Sequence, residues 1–349
     1  MIETWYVILT LMLILFVVLE GFDIGAGMLQ YLVGKTEAER RMVIAAIGPL
    51  WSWHEVWLIG FGGTLLVAFP AIFAASFSGF YLAFFLLLWA ILLRGVSIEV
   101  SGHLADPLWR TAWHTLFVGA NGLLATLIGA ALGNVLRGVP VGADGKFALA
   151  FFTDFSPAGK VGILDWYTVS VAVFVLATFA AHGASGLVRR TDGPVNERSY
   201  RVAGRLWIAV FLLLIVVSIE TWHVRPELFA NMIVRPWGWL GLACVFGGLI
   251  GILVAWRRKF EGALLLSSGV FITGLMIAGS AGAFPIMLHS TLRPEFSLSA
   301  YQNAGGSYGL GIALVWWPLA FIFSIGYFIF VYRYYSSKVK PAQDTQNPY

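Results

Sequence analysis

The sequence predicts an all-α polytopic membrane protein, and three observations predict it. Hydrophobic residues fill 59% of the 349 positions and charged residues only 11%, where a soluble domain carries about 25% charged residues. The mean hydropathy is +0.82. Apolar runs near the ~20 residues needed to cross a bilayer recur along the chain. Nine spans are expected, near 5–27, 50–73, 76–97, 113–135, 162–186, 205–224, 237–256, 262–284 and 309–332.

The first run carries no charge from Trp5 to Leu19 and has no basic leader before it, so it reads as a span rather than a cleaved signal. Pro49 suits the first turn of the second span, and Pro70 closes that span. The short Pro70–Ser76 link then makes spans two and three an antiparallel hairpin. Residues 137–161, with their Gly, Pro and Asp, read as an extracytoplasmic loop. That loop separates a first region, 1–136, from a second, 162–335. No repeat relates the two halves. The tail, 336–349, is polar and is expected to be disordered in the cytoplasm. The lone Cys244 forms no intramolecular disulfide and lies in an apolar segment, where it acts as a small hydrophobe.

Loop charge sets the direction. With the N-terminus outside, sixteen of the 22 Lys and Arg fall on the inner side, including Arg40, Arg41, Arg189, Arg190 and Arg198. The positive-inside rule therefore predicts N-terminus out and C-terminus in. The net charge of +4 lies in these loops and does not suggest nucleic acid as a partner.

Against this background Glu20 and Asp23 stand out. Each carboxylate costs about 2.5–3.5 kcal/mol at mid-helix. Spaced three apart, they occupy neighbouring positions of one helix face. The topology brings other polar groups to the same cytoplasmic depth: Ser52, His54 and Glu55 at the start of span two, Arg94 and Glu99 at the end of span three, and His182 at the end of span five. The functional reading is a proton path or a polar seam against another subunit. The plainer alternative is a set of packing pairs, such as Arg94 with Glu20 or Asp23. The number of ionisable groups favours function. Gly21, Gly25 and Gly27 admit two readings, close helix packing or a bend that opens the carboxylates to water or a quinone. Trp51, Trp53 and Trp57 read as an interfacial belt. Glu220 and His223 suit a polar contact near the outer end of span six, and His103 and His114 a solvated loop and helix start. Neither HxxxH nor CxxC occurs, so no metal site is expected.

Gly21-Phe22-Asp23-Ile24-Gly25, then Glu39-Arg40-Arg41 and Trp51-x-x-x-Glu55-Val56-Trp57-Leu58, resemble subunit II of the cytochrome bd quinol oxidases. The likeness continues through Phe69-Pro70, Phe77-Ser78-Gly79-Phe80-Tyr81 and Leu93-Arg94-Gly95-Val96. It extends through Gly129-x-x-x-Gly133-Asn134-x-x-x-Gly138-Val139-Pro140, His182-Gly183-Ala184, Phe284-Pro285, Ser297-Leu298 and Tyr308-Gly309-Leu310. Each motif alone is weak, and together, in order over nearly the whole chain, they are specific. The resemblance implies nine helices arranged as two four-helix bundles plus one peripheral helix. It implies assembly with a haem-bearing subunit I, no haem in this chain, a structural quinone, and a contribution to proton uptake from the cytoplasm. The implied complex oxidises quinol, reduces oxygen to water, and sits in a bacterial or archaeal cytoplasmic membrane. A small single-span accessory subunit is a further candidate partner.

One departure marks a divergent branch. The family pattern has an aspartate, a small residue and an asparagine where this chain has Ser52, Trp53 and His54. Ser52 holds no charge, so a proton route shifts to His54 and Glu55 or runs elsewhere. Two other function classes are open to the sequence. A secondary transporter would place charges at mid-membrane in both halves, but the second half has no Gly-Phe-Asp-Ile-Gly counterpart. A subunit with its own haem would use His54 or His182 and would show a Soret band.

Overall fold

A computed structural model describes residues 1–157, 159–335 and 337–339. It contains thirteen α-helices. The first six are α1 (Ile2–Met28), α2 (Gln30–Val33), α3 (Glu37–Ile47), α4 (Trp51–Ala68), α5 (Pro70–Gly79) and α6 (Tyr81–Val100). The rest are α7 (Pro107–Arg137), α8 (Trp166–Arg190), α9 (Gly193–Val224), α10 (Glu227–Val234), α11 (Pro236–Arg258), α12 (Glu261–Ala283) and α13 (Ser307–Tyr334). Two short strands, β1 (Ile286–Leu288) and β2 (Leu298–Ser299), pair antiparallel between α12 and α13. Among the described residues, eight helices are long and apolar enough to cross a membrane. A ninth span results if α3 and α4, bent by 43° at their junction, count as one. The chain is thus a multi-pass, all-α membrane protein.

The expected spans fall on these helices, with differences at their ends. Pro70 does not end span two in a loop. It opens α5, where its fixed φ and missing N–H suit a first helical turn, while Phe69 before it is held out of the helical region. The link expected over Pro70–Ser76 is therefore helical. α7 and α9 run to 31 and 32 residues, longer than a bilayer requires.

α3 starts at a capping box. The Thr36 hydroxyl accepts from the Glu39 N–H, and the Glu39 carboxylate accepts from the Thr36 N–H at 3.1 Å. The other Glu39 oxygen pairs with Arg198 of α9 at 2.5 Å. Glu39 thus begins one helix and ties it to another.

α1 and α8 lie at the centre. α8 packs on α1, α7, α9 and α12, and 83% of its spanning window is buried. The two central helices meet at glycines: a Cβ on Gly25 would lie 1.8 Å from the Phe179 carbonyl oxygen, and one on Gly183 2.2 Å from the Ala26 nitrogen. α1 remains helical through Gly21, Gly25 and Gly27. The close-packing reading of these glycines holds, and the bend is not observed.

At one end of the molecule, Arg137 joins α7 to α8. Its guanidinium pairs with Asp165, donates to the Asn134 carbonyl Oδ1 at 2.6 Å, and donates to the Gly162 carbonyl at 3.2 Å. Asp165 also caps α8 through the Thr168 N–H. The segment after α7 is tied to the strand hairpin region by the Val139 N–H, which donates to the His289 carbonyl at 2.9 Å.

At the opposite end, the segment after α13 is strapped onto the α8–α9 turn. The Val339 N–H donates to the Arg190 carbonyl at 2.8 Å, and Lys338 pairs with Asp192 at 2.9 Å and Glu261 at 2.7 Å. Partial burial opposes the Lys338 charge, but these two carboxylates hold its pKa above the ordinary lysine value. The rest of the expected tail, residues 336 and 340–349, lies outside the described residues.

α13 is the most exposed of the long helices, with 6% of its window buried. Its contact with α4 is aromatic. Trp57 meets Phe321 and Phe328 at 5.7 and 5.5 Å, and Trp53 meets Tyr327 at 4.6 Å. The three tryptophans therefore do not form an interfacial belt. Trp57 is buried, Trp53 docks α13, and Trp51 lies against Arg94. Period and composition cannot separate these roles, because an indole suits either surface.

Candidate functional site

Four helices bring their polar residues to one point near one end of the molecule. α1 supplies Glu20 and Asp23, α4 supplies His54 and Glu55, α6 supplies Arg94, and α13 supplies Tyr332. α1, α6 and α13 contribute from near their C-terminal ends, whereas α4 contributes from near its N-terminal end. Alternating chain direction makes these positions equivalent in depth.

Arg94 is the hub. Its side chain is fully buried and its Nη1 donates to Glu20 Oε1. The same nitrogen donates to Glu55 Oε1 at 3.3 Å, and Nη2 lies 3.7 Å from Asp23 Oδ2. The guanidinium carbon sits 5.9 Å from the centre of the Trp51 ring, a cation–π arrangement. A planar, permanently charged guanidinium answers several carboxylates at once, as a single ammonium could not.

Asp23 makes a second chain of contacts. His54 Nδ1 lies 2.6 Å from Asp23 Oδ2, and His54 Nε2 lies 2.8 Å from the Tyr332 hydroxyl. An ionised Asp23 only accepts. In that state Nδ1 donates to Asp23, and a neutral ring accepts at Nε2 from Tyr332. Glu20 Oε2 and Asp23 Oδ1 are buried and have no hydrogen-bond partner among the described residues. Such acceptors cost about 1–3 kcal/mol each unless a proton or a water satisfies them.

The other expected site residues fall elsewhere. His182 is buried at the same end but bonds outside the cluster: Nδ1 lies 2.7 Å from the Ser268 hydroxyl and Nε2 lies 2.9 Å from the Val18 carbonyl. It joins α8 to α12 and α1. His182→Ala is expected to lower the thermal stability of the assembled complex by about 1–3 kcal/mol, since Ser268 and Val18 lose their partner. The turnover of what assembles should stay near wild type, read by melting the purified complex and assaying it in parallel. Ser52 and Glu99 lie on the exposed faces of α4 and α6, and neither joins the cluster. Glu220 accepts from Ser170 at 3.1 Å instead of pairing with the exposed His223. His114 is buried near Glu37, at 3.8 Å, rather than solvated. The sequence reading missed Tyr332, because a tyrosine at a helix end reads as a membrane-interface residue.

Glu20, Asp23 and His54 offer ligand atoms within 4.8 Å of one another, close enough for a metal ion. In this chain Arg94 is the cation on both carboxylates, and it takes the charge role a metal would have. Neither His54 nor His182 shows a ring nitrogen without a partner among the described residues. Haem ligation by either would require breaking one of these bonds.

The chain is similar to known proteins over most of its length. The "Probable cytochrome oxidase subunit 2" of Haemophilus influenzae is 26% identical, over 94% of this chain and 92% of that protein. The "Cytochrome bd-I ubiquinol oxidase subunit 2" of Escherichia coli K12 is 29% identical, over 88% of this chain and 87% of that protein. A chain in the solved structure of the bd oxidase from Geobacillus thermodenitrificans shares the fold. Its TM-score is 0.70 at 17% identity, with 95% of this chain and 98% of that chain covered. The sequence profile described as cytochrome bd terminal oxidase subunit II matches residues 1–335. A match that runs from the first helix through α13 takes in every residue of the Arg94 cluster, and the chain belongs to the cytochrome bd terminal oxidase subunit II family.

Proposed function

We propose that this chain is the non-haem subunit of a quinol-oxidising, oxygen-reducing terminal oxidase, and that its Arg94 cluster conducts protons from the cytoplasm toward haems in subunit I. The observation that carries the reading is the set of buried Glu20 and Asp23 and half-buried Glu55 around Arg94, with buried His54 on Asp23. Within it, Glu20 Oε2 and Asp23 Oδ1 have no hydrogen-bond partner among the described residues, which suits groups that take up and release protons.

The architecture is read in the same frame. α1, the α3–α4 pair, α6 and α7 make the first bundle (1–136), and α8, α9, α11 and α12 the second. α13 is the peripheral helix, and 137–161 is the extracytoplasmic loop between them. Arg40, Arg41, Arg190 and Arg198 lie at the end that holds the cluster, which supports N-terminus out and C-terminus in. The exposed apolar faces of α4 and α6 are then available to subunit I and lipid. In this reading subunit I holds the haems, and a structural quinone and a single-span accessory subunit are further candidate partners. The membrane is the cytoplasmic one of a bacterium or archaeon.

Asp23→Asn, assayed in the assembled oxidase in sealed vesicles, tests the reading. Turnover and proton uptake are expected to fall by about a hundredfold, the low end for loss of a positioned proton-transfer group. KM for quinol should not change. Wild-type turnover in this variant, with the complex intact, would overturn the proposal.

A further inference from the structure

We infer that Tyr332 is the residue through which protons reach His54 and Asp23, so that the peripheral helix α13 carries the surface end of the relay. The inference rests on the proton-conducting reading of the Arg94 cluster and deepens it.

The geometry is a continuous line. The Tyr332 hydroxyl lies 2.8 Å from His54 Nε2, and His54 Nδ1 lies 2.6 Å from Asp23 Oδ2. The two rings stack, at 6.0 Å between centroids and 22° between planes. Burial rises along the same line. Tyr332 is 39% exposed, whereas His54 and Asp23 are both at 0%.

Glu55 is the other partly accessible member, with a side chain 17% exposed. Its contact inward is Arg94, and a guanidinium does not give up its proton in a protein. The Glu55 branch therefore ends on a group that cannot pass a proton on. The Tyr332 branch ends on Asp23 through an imidazole, which accepts at one nitrogen and donates from the other.

The placement of Tyr332 is also supported from outside the cluster. α13 is exposed along most of its length. It is clipped at the end that bears Tyr332. Arg190 donates to the Tyr335 carbonyl and, at 3.3 Å, to the Ser337 carbonyl, while the Val339 N–H donates back to the Arg190 carbonyl at 2.8 Å. Lys338 adds its pairs with Asp192 and Glu261. The end of α13 is thus fixed where its hydroxyl must meet a buried ring.

The step balances as a proton transfer with no electron moved. A hydronium at the exposed edge gives its excess proton to the Tyr332 oxygen and is left as neutral water, and the hydroxyl hydrogen passes to His54 Nε2. The Nδ1 hydrogen passes to Asp23 Oδ2. Tyrosine and imidazole keep their composition, and Asp23 gains one proton. The line resets by reorientation of ring and hydroxyl after Asp23 hands its proton on.

The test uses the assembled oxidase in sealed vesicles with quinol as donor. Tyr332→Phe keeps the ring and removes the hydroxyl. It is expected to slow turnover and proton uptake by about five- to tenfold, less than the ~100-fold for loss of a positioned proton-transfer group because water can stand in for the hydroxyl, leave KM for quinol and the haem spectrum unchanged, and raise the solvent hydrogen isotope effect. His54→Asn keeps hydrogen-bonding capacity but cannot take up a proton, and it should do the same. The double variant should be no slower than the slower single. If Tyr332→Phe does not assemble, Tyr332→Gln replaces it with the same expectations. Wild-type turnover and isotope effect at position 332, or multiplying losses in the double variant, would overturn the inference. A slow Asp23→Asn beside a normal Tyr332→Phe overturns only the Tyr332 route. Normal behaviour of both overturns the proton-conducting site as well.

Discussion

Arg94→Met is expected to abolish accumulation of the assembled oxidase. Glu20 and Asp23 are 2% and 0% exposed, and Arg94 is the cation shared by both. Removing it leaves two buried carboxylates without a counter-charge, at a cost of about 3–5 kcal/mol. A protein whose total stability is about 5–15 kcal/mol does not absorb that easily. Arg94→Lys should be intermediate, because an ammonium cannot address Glu20, Glu55 and Asp23 together. The measurement is native gel electrophoresis of solubilised membranes with in-gel haem staining. The rescue is diagnostic: Glu20→Gln in the Arg94→Met background removes one orphaned charge, and it should restore part of the lost complex. If Arg94→Met accumulates as the wild type does, the carboxylates are neutralised by protons and the ion pairs hold nothing together.

Much of this site was legible because a membrane constrains depth. Once nine spans and their direction are read from hydropathy and loop charge, Asp23, Glu55 and Arg94 must share a level. The i, i+3 spacing puts Glu20 beside Asp23 on one face. Pairing was not legible. One sequence gives no angular relation between helices, so Ser52 and Glu99 stand at the same depth as the cluster and yet face outward. His182 shares the depth too, but its partners, Ser268 and the Val18 carbonyl, are a common hydroxyl and a backbone group that carry no signal. Tyr332 lies 278 positions from His54 and sits on the helix with least burial, where an aromatic residue has an ordinary explanation. The helix α5 escaped because Pro70 reads equally as a stop and as a first turn. His54 stands where the resemblance implies an asparagine, and its ring reaches two partners, Asp23 and Tyr332, that are visible only in three dimensions.

Gly25→Ala is expected to be nearly as damaging as loss of Arg94, though it changes no charge. The Gly21-x-x-x-Gly25 spacing suggests that both glycines serve a helix contact, but they do so unequally. A Cβ at Gly21 would touch the Phe179 ring at 3.0 Å, which a side chain can relieve. At Gly25 it would meet backbone: the Phe179 carbonyl oxygen at 1.8 Å and the Gly183 nitrogen at 2.9 Å. Backbone in the middle of a helix yields only if the whole helix moves, so α1 and α8 would have to separate. The cost is at or above the ~3 kcal/mol upper range for overpacking. Separation would also stretch the His182–Val18 bond and carry Asp23, two residues from Gly25, away from His54 and Arg94. Gly183→Ala should reproduce the loss from the other helix, since its Cβ would lie 2.2 Å from the Ala26 nitrogen. Gly279→Ala in α12 is the control. Nothing lies within 4 Å of a Cβ there, and alanine favours a helix over glycine by about 1 kcal/mol. It should be neutral or stabilising. Thermal inactivation of the purified complexes separates these outcomes. If Gly25→Ala melts with the wild type, α1 and α8 are not in backbone contact, and the alignment of Asp23 with its partners rests on Arg94 alone.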